Sequence, residues 1–151
     1  MIKVGEQAPD FKLPSNKGGE VSLSDFKGKK HVVLYFYPKD ETAGCTAEAC
    51  SFRDNYEDFK DAGAEVIGVS NDSANSHEKF AAHHRLPFVL LSDRGGKVRD
   101  QYGVKSTLGL FPGRVTFLID KNGVVRNVFS SQINVFKHVN ETLDILKGMP
   151  A

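Results

Sequence analysis

The sequence has little net charge and no long apolar stretch, and each of these absences excludes a class of protein. Its net charge is only +1, which gives no field that would favour nucleic acid or a membrane surface. The longest clean apolar run is Val32–Tyr37, whereas a membrane-spanning helix needs about 20 apolar residues. The opening Ile2–Phe11 lacks the apolar core that is typical of a secretory signal. We therefore expect neither a nucleic-acid partner nor a membrane association.

Cysteine is also scarce, and the two that are present limit the sites that the chain can build. Cys45 and Cys50 lie five positions apart, which is not the spacing of a C-x-x-C redox pair. A structural zinc site takes four ligands, and the five histidines are scattered along the chain. The adjacent His83 and His84 are expected to lie on a solvated helix face. We predict no metal site.

What the chain does contain is an alternation of apolar strands and helices within 151 residues, a length typical of one domain. His31–Tyr37 and Ala64–Ser70 are continuous apolar runs, as in strands that are buried on both faces of a parallel sheet. The segment between them predicts a helix over Thr46–Ala62. These three elements form a βαβ unit, for which a right-handed crossover is expected.

The second half of the chain continues this alternation and ends in a hairpin and a helix. The predicted elements are a helix over Ser73–His84 with its N-cap near Asn71 or Asp72, a strand over Pro87–Asp93, a short helix over Gly96–Tyr102, a hairpin around Asn122 and Gly123, and a terminal helix over Val135–Leu146. Apolar residues recur on one face of the terminal helix, at Val135, Val139, Leu143 and Leu146. The order predicts a thioredoxin-like α/β fold with an N-terminal β extension, formed by residues 1–151 as a single domain.

The positions of the two cysteines on the first helix decide whether they can form a disulfide. Five residues of regular helix place the two Cα atoms roughly 8.6 Å apart, whereas a disulfide needs less than about 7 Å. A bond between Cys45 and Cys50 therefore requires the first turns of the helix to unwind. On the same helix Phe52, Tyr56 and Phe59 share a stripe, so Cys45 should face the protein and Cys50 should face outward or sideways.

The surroundings of Cys45 are those in which a thiol becomes reactive. A helix N-terminus offers unpaired N–H groups and a dipole that favour a thiolate, which is the nucleophilic and oxidisable form. In the loop before it, Pro38 ends the strand, Thr42 supplies a hydroxyl, and Gly44 allows the backbone to approach a small ligand closely. We therefore expect a redox role for Cys45 rather than that of an inert buried thiol.

Several segments resemble the peroxiredoxin family. Pro38–Cys45, P-K-D-E-T-A-G-C, is similar to the active-site pattern P-x-x-x-[TS]-x-x-C, and further similarity is found in Gly5–Phe11, Leu86–Asp93 and Pro112–Asp120. The spacing G-C-T-A-E-A-C is similar to that of the peroxiredoxin Q group, also called the bacterioferritin comigratory protein group. The stretch Phe129–Gln132 is most similar to members from photosynthetic organisms, so the resemblance implies a chloroplast or a bacterial cytoplasm.

The resemblance implies a role for each site residue. Cys45 is then the peroxidatic cysteine, Cys50 the resolving cysteine, Thr42 the hydroxyl that binds thiolate and peroxide, and Arg114 the arginine that reaches the site from a neighbouring strand. A guanidinium stays charged and can donate to a peroxide oxygen as negative charge develops. Glu48, on the same helix face as Cys45, is placed to hold Arg114.

The implied activity is the reduction of hydrogen peroxide and organic hydroperoxides through a Cys45 sulfenic acid and an intramolecular disulfide with Cys50. The implied reductant is thioredoxin, or glutaredoxin in some members, and no bound cofactor is required. An intramolecular pair needs no thiol from a partner, so we expect a monomer. Phe36, Phe111 and Phe117 are candidates for an apolar approach to the site, although core packing explains them as well. Two other hypotheses remain, a protein thiol–disulfide oxidoreductase and a redox-sensing or chaperone module.

Overall fold

The computed structural model describes residues 1–104 and 113–150. Within them, the strands are β1 Lys12–Pro14, β2 Glu20–Ser22, β3 His31–Phe36, β4 Ala64–Ser70, β5 Val89–Ser92, β6 Val115–Ile119 and β7 Val125–Ser130. Strands β1 and β2 form a separate hairpin, and the other five of these strands form a central sheet in the order β5-β4-β3-β6-β7. Strands β3, β4 and β5 are parallel, and β6 and β7 are antiparallel to their neighbours. The predicted strands are confirmed.

The helices pack against the sheet and connect its strands. They are α1 Ala43–Asp54, α2 Tyr56–Asp61, α3 Ala74–His84, α4 Lys97–Tyr102 and α5 Val135–Lys147, with a 3-10 helix at Leu23–Phe26. None of the helices in residues 1–104 and 113–150 combines the length and apolar character that a membrane crossing needs.

The predicted helix over Thr46–Ala62 is wrong at its start and in its middle. The first helix begins at Ala43, three residues earlier, and Asn55 separates α1 from α2. At Asn55 the backbone leaves the helical region, with φ −107° and ψ 8°, and its side chain donates to the Ser51 carbonyl at 2.8 Å. This local bond competes with the helical pattern, as is common for asparagine.

The N-cap of α3 also differs from its prediction at Asn71 or Asp72. Ser73 is the cap, because its hydroxyl oxygen accepts the N–H of Ser76 at 3.1 Å. Asp72 instead accepts the Asp40 N–H at 2.8 Å and thereby joins the loop after β3 to the start of α3.

Alternation along β3 places apolar side chains on both faces of the sheet, as predicted. Val33, Tyr35 and Tyr37 belong to the core beneath α1 and α5, and Val32, Leu34 and Phe36 belong to the opposite core. Phe36 and Phe117 are completely buried in this second core, so they do not line an approach to the site. Phe111 and Pro112, which belong to two of the sequence predictions, lie outside the described residues.

The covering elements at both ends of the chain agree with the predictions. The buried face of α5 includes Val135, Val139, Leu143 and Leu146. At the Asn122-Gly123 turn, Gly123 has φ +82° and donates its N–H to the Asp120 carbonyl at 2.9 Å. The N-terminal segment joins the main sheet through single bridges, Gln7 with Val124 and Ser15 with Leu91. This arrangement is the predicted thioredoxin-like fold with its N-terminal β extension.

Candidate active site

Cys45 lies in the first turn of α1, at the carboxyl end of the central strand β3. Thr42 is the N-cap residue in extended conformation, and its carbonyl accepts the Thr46 N–H at 2.8 Å. Only 1% of Cys45 is exposed, and its side chain belongs to the core beneath α1. The predicted inward orientation of Cys45 is therefore confirmed, and the sulfur lies where first-turn N–H groups favour a thiolate.

Arg114, the residue directly before β6, connects Cys45 to Glu48. Its Nη2 donates to the Cys45 Sγ at 3.4 Å, and its Nη1 donates to Glu48 Oε1 at 2.7 Å. A third bond runs from Nε to the Gln132 carbonyl at 3.2 Å. The bonds to Glu48 and to the Gln132 carbonyl thus hold the guanidinium in the position from which Nη2 contacts the sulfur.

The ion pair between Arg114 and Glu48 is buried on both sides. Burial raises the pKa of Glu48 from its ordinary 4.5 to about 7, although the Arg114 guanidinium acts in the opposite direction. Burial by itself would lower the pKa of Arg114, but the Glu48 carboxylate and the Cys45 sulfur outweigh it and raise the pKa. Arg114 therefore stays charged, and Glu48 is the member of the pair that titrates near neutral pH.

Gly44 permits the close approach of Arg114 to the helix. A Cβ on Gly44 would lie 3.0 Å from Nη2 of Arg114. The sequence prediction gave Gly44 the role of admitting a small ligand, whereas the structure shows that the space is taken by the guanidinium. A side chain at this position would push away the nitrogen that contacts Cys45.

Thr42 and Pro38 lie on the loop that leads into α1. The Thr42 hydroxyl donates to the Lys39 carbonyl at 2.8 Å, so its oxygen lone pairs remain as acceptors. Pro38 is half-buried and lines a surface cavity of about 590 Å³ in the same loop region, together with Thr42, Asp72 and Arg94. The Thr42 side chain is therefore exposed near Cys45 in the sequence, and the bond to the Lys39 carbonyl sets the orientation of its hydroxyl group.

Cys50 lies on the same helix as Cys45, and the two thiols are not bonded to each other. Both are free cysteines, Cys45 buried and Cys50 half-buried. The helix α1 is continuous from Ala43 to Asp54 and so includes both positions. The structure therefore represents the reduced arrangement, in which the intact helix separates the sulfurs.

One histidine and one tyrosine near the Glu48 carboxylate, His138 and Tyr35, were missed by the sequence analysis. His138 Nδ1 lies 3.6 Å from Glu48 Oε2. Because Nε2 lies 2.7 Å from the Ser131 carbonyl, we assign the ring N–H to Nε2, and Nδ1 then accepts from the Thr116 hydroxyl at 2.7 Å. Burial lowers the pKa of His138 to about 4, so this ring is neutral at neutral pH. The Tyr35 hydroxyl is buried and has no hydrogen-bond partner among the described residues.

A second buried arginine, Arg99 on α4, was missed as well. Its Nη2 donates to the Tyr37 carbonyl at 3.0 Å, and its Nη1 donates to the Gly113 carbonyl at 2.8 Å. Burial lowers the pKa of Arg99, while Asp93, Asp100 and the Cys45 sulfur oppose that shift. Arg99 thus ties the end of β3 to the residue directly before Arg114.

The loop before α1 is anchored by Asp40, a further buried polar group that the sequence analysis did not select. Its carboxylate accepts the Tyr37 hydroxyl at 2.6 Å and the Ser76 hydroxyl at 2.8 Å, and it lies 2.7 Å from His77 Nδ1. These contacts join the loop before α1 to the first turn of α3. Asp40 occupies an unspecified position of the pattern P-x-x-x-[TS]-x-x-C, so the sequence does not indicate that its carboxylate is buried.

With this geometry established, comparison with known proteins identifies the class to which the fold and site belong. The sequence profile of the AhpC/TSA family matches residues 4–128. The chain belongs to this family, the peroxiredoxins, and is a thiol-dependent peroxidase. Its two cysteines are consistent with the atypical two-cysteine type.

The most informative relatives are peroxiredoxin Q proteins. The chain is 56% identical over 149 residues to the chloroplastic peroxiredoxin Q of Sedum lineare, covering 98% of this chain and 80% of that protein. Its structure is similar to that of peroxidoxin BcpB from Mycobacterium tuberculosis, with a TM-score of 0.92, 38% identity and complete coverage of both chains. It is also similar to the bacterioferritin comigratory protein of Xanthomonas campestris, with a TM-score of 0.84, 31% identity and coverage of 91% of this chain and 90% of that chain. That structure is described as giving insight into the alkyl peroxide reduction activity of the Xanthomonas campestris protein.

Proposed function

We propose that Cys45 is the peroxidatic cysteine of this peroxidase and that Cys50 is its resolving cysteine. The observation that carries the proposal is the contact of Arg114 Nη2 with the Cys45 Sγ at 3.4 Å, made by a guanidinium that Glu48 holds at 2.7 Å. A fixed positive charge beside the sulfur stabilises the thiolate and the negative charge that develops on a peroxide oxygen.

The first step is a displacement at the O–O bond. The Cys45 thiolate attacks one peroxide oxygen, the O–O bond breaks, and the sulfur becomes sulfenic acid while the other oxygen leaves as water or an alcohol after taking up a proton. In this step Arg114 donates to the peroxide oxygens. The Thr42 hydroxyl donates its own hydrogen bond to the Lys39 carbonyl, so its oxygen can accept a hydrogen bond from the peroxide O–H.

The second step joins the two sulfurs. The first turns of α1 unwind, the Cys50 thiol attacks the Cys45 sulfenic sulfur, and a disulfide forms with the release of water. A dithiol reductant then exchanges with this disulfide and becomes oxidised itself. Peroxide substrates and thiol reductants are general for these relatives. From the resemblance to peroxiredoxins we assign thioredoxin as the reductant. We assign a monomer as the functional state, because both thiols belong to one helix and no thiol from a partner is needed.

The substrate range and compartment follow the relatives. Alkyl peroxide reduction by the Xanthomonas campestris protein supports activity on organic hydroperoxides in addition to hydrogen peroxide. The chloroplastic relatives and the bacterial structures support the chloroplast or the bacterial cytoplasm that the sequence predicted. The alternative of a protein thiol–disulfide oxidoreductase is not favoured by these comparisons.

Two serine variants test the proposed roles in a thioredoxin-linked assay. Cys45→Ser should abolish peroxide consumption, because it removes the nucleophile. Cys50→Ser should still reduce one equivalent of peroxide and then stop, because no disulfide forms for thioredoxin to reduce. Continued thioredoxin-dependent turnover by Cys45→Ser would show that the roles are assigned incorrectly.

A further inference from the structure

Three metal-ligand side chains gather on the surface beside the catalytic loop, where the proposed mechanism does not use them. His83 Nδ1 lies 2.9 Å from one carboxylate oxygen of Glu41, and His84 Nε2 lies 2.8 Å from the other. One ligand atom from each residue lies within 4.8 Å of the other two. We propose that Glu41, His83 and His84 form a binding site for a divalent cation of the Zn²⁺ type.

The donor set suits such an ion. Imidazole nitrogen and carboxylate oxygen bind zinc at about 2.0–2.2 Å, and a site with three protein ligands leaves the fourth position to water. Ligands at these distances in a tetrahedral arrangement lie about 3.4 Å apart. The ion would therefore replace two hydrogen bonds and increase each distance between nitrogen and carboxylate oxygen by roughly half an ångström. The exposed side chains of Glu41 and His83 can make this shift.

The surrounding residues fix one ligand and leave an entrance for the ion. The His84 ring packs edge-on against Phe80 at 5.1 Å, and the His84 carbonyl accepts Nη1 of Arg53 at 2.7 Å. The positive charge of Arg53 is offset by Asp54, whose Oδ1 lies 3.0 Å from Nε. The side chains of His83 and Glu41 are 66% and 47% exposed, so an ion reaches them directly from solvent.

An ion bound at this site should affect catalysis, because the site lies beside the start of α1. Glu41 directly precedes Thr42, the N-cap of α1, and the two histidines end α3. A bound cation would tie the loop that leads into α1 to the end of α3. Because disulfide formation requires the first turns of α1 to unwind, the ion should slow that step. This consequence rests on the proposed roles of Cys45 and Cys50, whereas ion binding itself does not.

Binding is tested with Co²⁺ as a spectroscopic probe and Zn²⁺ as its competitor. The protein is the tag-free full chain with Cys45→Ser and Cys50→Ser, so that no thiolate can bind the ion. We expect one equivalent of Co²⁺ to produce visible absorption that Zn²⁺ abolishes. His83→Ala and His84→Ala should each weaken binding at least about tenfold, since even the loss of an outer-shell partner costs that much.

The matched control is Glu78→Gln, which removes an exposed carboxylate from the same helix α3 and should leave Co²⁺ binding unchanged. Equal binding by the parent and both histidine variants would overturn the proposal, because the ion would then lie elsewhere. The absence of binding below millimolar Co²⁺ would overturn it as well.

The consequence for catalysis is tested in chains that keep both thiols. After one equivalent of peroxide, saturating Zn²⁺ should slow disulfide formation several-fold in the parent, measured by timed quench and mass spectrometry, and should have no such effect in His83→Ala. An equal effect of Zn²⁺ in both chains would overturn the ion's action through this site. Failure of the ion-free parent to form the Cys45–Cys50 disulfide would instead contradict the proposed function.

Discussion

At the scale of single residues, the site depends on the absence of a side chain at Gly44. Arg114 contacts the Cys45 sulfur through Nη2, and Gly44 leaves room for that nitrogen, because a Cβ there would lie 3.0 Å from it. The guanidinium cannot easily retreat, since it is 5% exposed and bonded to Glu48 and the Gln132 carbonyl. The position of the charge beside the sulfur is therefore set by a glycine within α1.

Replacing Gly44 by alanine should slow the reaction with peroxide without weakening the helix. Alanine is favoured over glycine in a helix by roughly 0.5–1 kcal/mol, so α1 itself should not lose stability. A displaced guanidinium should nevertheless lower the second-order rate constant on the order of tenfold, which corresponds to about 1.4 kcal/mol. The rate constant is measured by competition for peroxide against a second peroxidase.

Gly95→Ala is the control for this variant, because nothing lies within 4 Å of a Cβ at that position. It should react with peroxide as fast as the parent. A Gly44→Ala protein with the parent's rate constant would mean that the contact between Arg114 and Cys45 does not contribute to catalysis.

The sequence identified some site residues and missed others for a physical reason. Cys45, Glu48 and Gly44 share one stretch of chain, so helical spacing and a known pattern were sufficient to select them. Arg99 and His138 bond to carbonyls 62 and 7 positions away, of Tyr37 and Ser131. Whether such a polar side chain is buried depends on partners that only the folded sheet brings together, and a single sequence does not contain that information.

At the scale of elements, the existence of α1 was predictable but its limits were not. Thr42 is the N-cap residue, yet its hydroxyl bonds to the Lys39 carbonyl and forms no side-chain cap. The usual start signal was therefore weak, and the predicted start at Thr46 was three residues late. The break at Asn55 depends on a side-chain bond to Ser51, which periodicity does not reveal.

Oxidation should unwind the beginning of α1 while its end remains anchored. Phe52, near the end of the helix, is fully buried and stacks on Tyr35 with ring centroids 4.5 Å apart. Amide hydrogen exchange should therefore increase from Ala43 to about Cys50 in the disulfide form. Protection should persist around Phe52.

The Cys50→Ser chain treated with one equivalent of peroxide is the control for this experiment, since its sulfenic acid has no thiol in the chain to bond. Its α1 should keep the protection of the reduced parent. If the disulfide form of the parent shows the same protection as its reduced form, the requirement for unwinding is incorrect.

At the scale of the whole molecule, the sheet separates two cores, and the reactive site lies within one of them. The core beneath α1 and α5 contains Cys45 together with the buried ion pair of Glu48 and Arg114 close to it. Placing a carboxylate there links the protonation of one group to the stability of the entire fold, because unfolding returns that carboxylate to water.

The free energy of unfolding should therefore carry a pH dependence from Glu48. Its pKa is about 7 in the folded state and has an ordinary value of 4.5, so between these values the folded state holds the proton more tightly. The resulting stability is fully present below about pH 4.5 and is lost as the pH rises through about 7. Glu48→Gln should remove this contribution, which amounts to at most about 3 kcal/mol.

Urea unfolding of the reduced parent and the variant at several values between pH 5 and pH 8 measures the difference. Relative to the parent, Glu48→Gln should become more stable as the pH rises, since glutamine has no proton to lose in this range. Glu78→Gln, which changes an exposed carboxylate on α3, should follow the parent throughout. If Glu48→Gln also follows the parent, Glu48 is ionised across the whole range, and the buried pair carries its full charge at every pH at which the enzyme is tested.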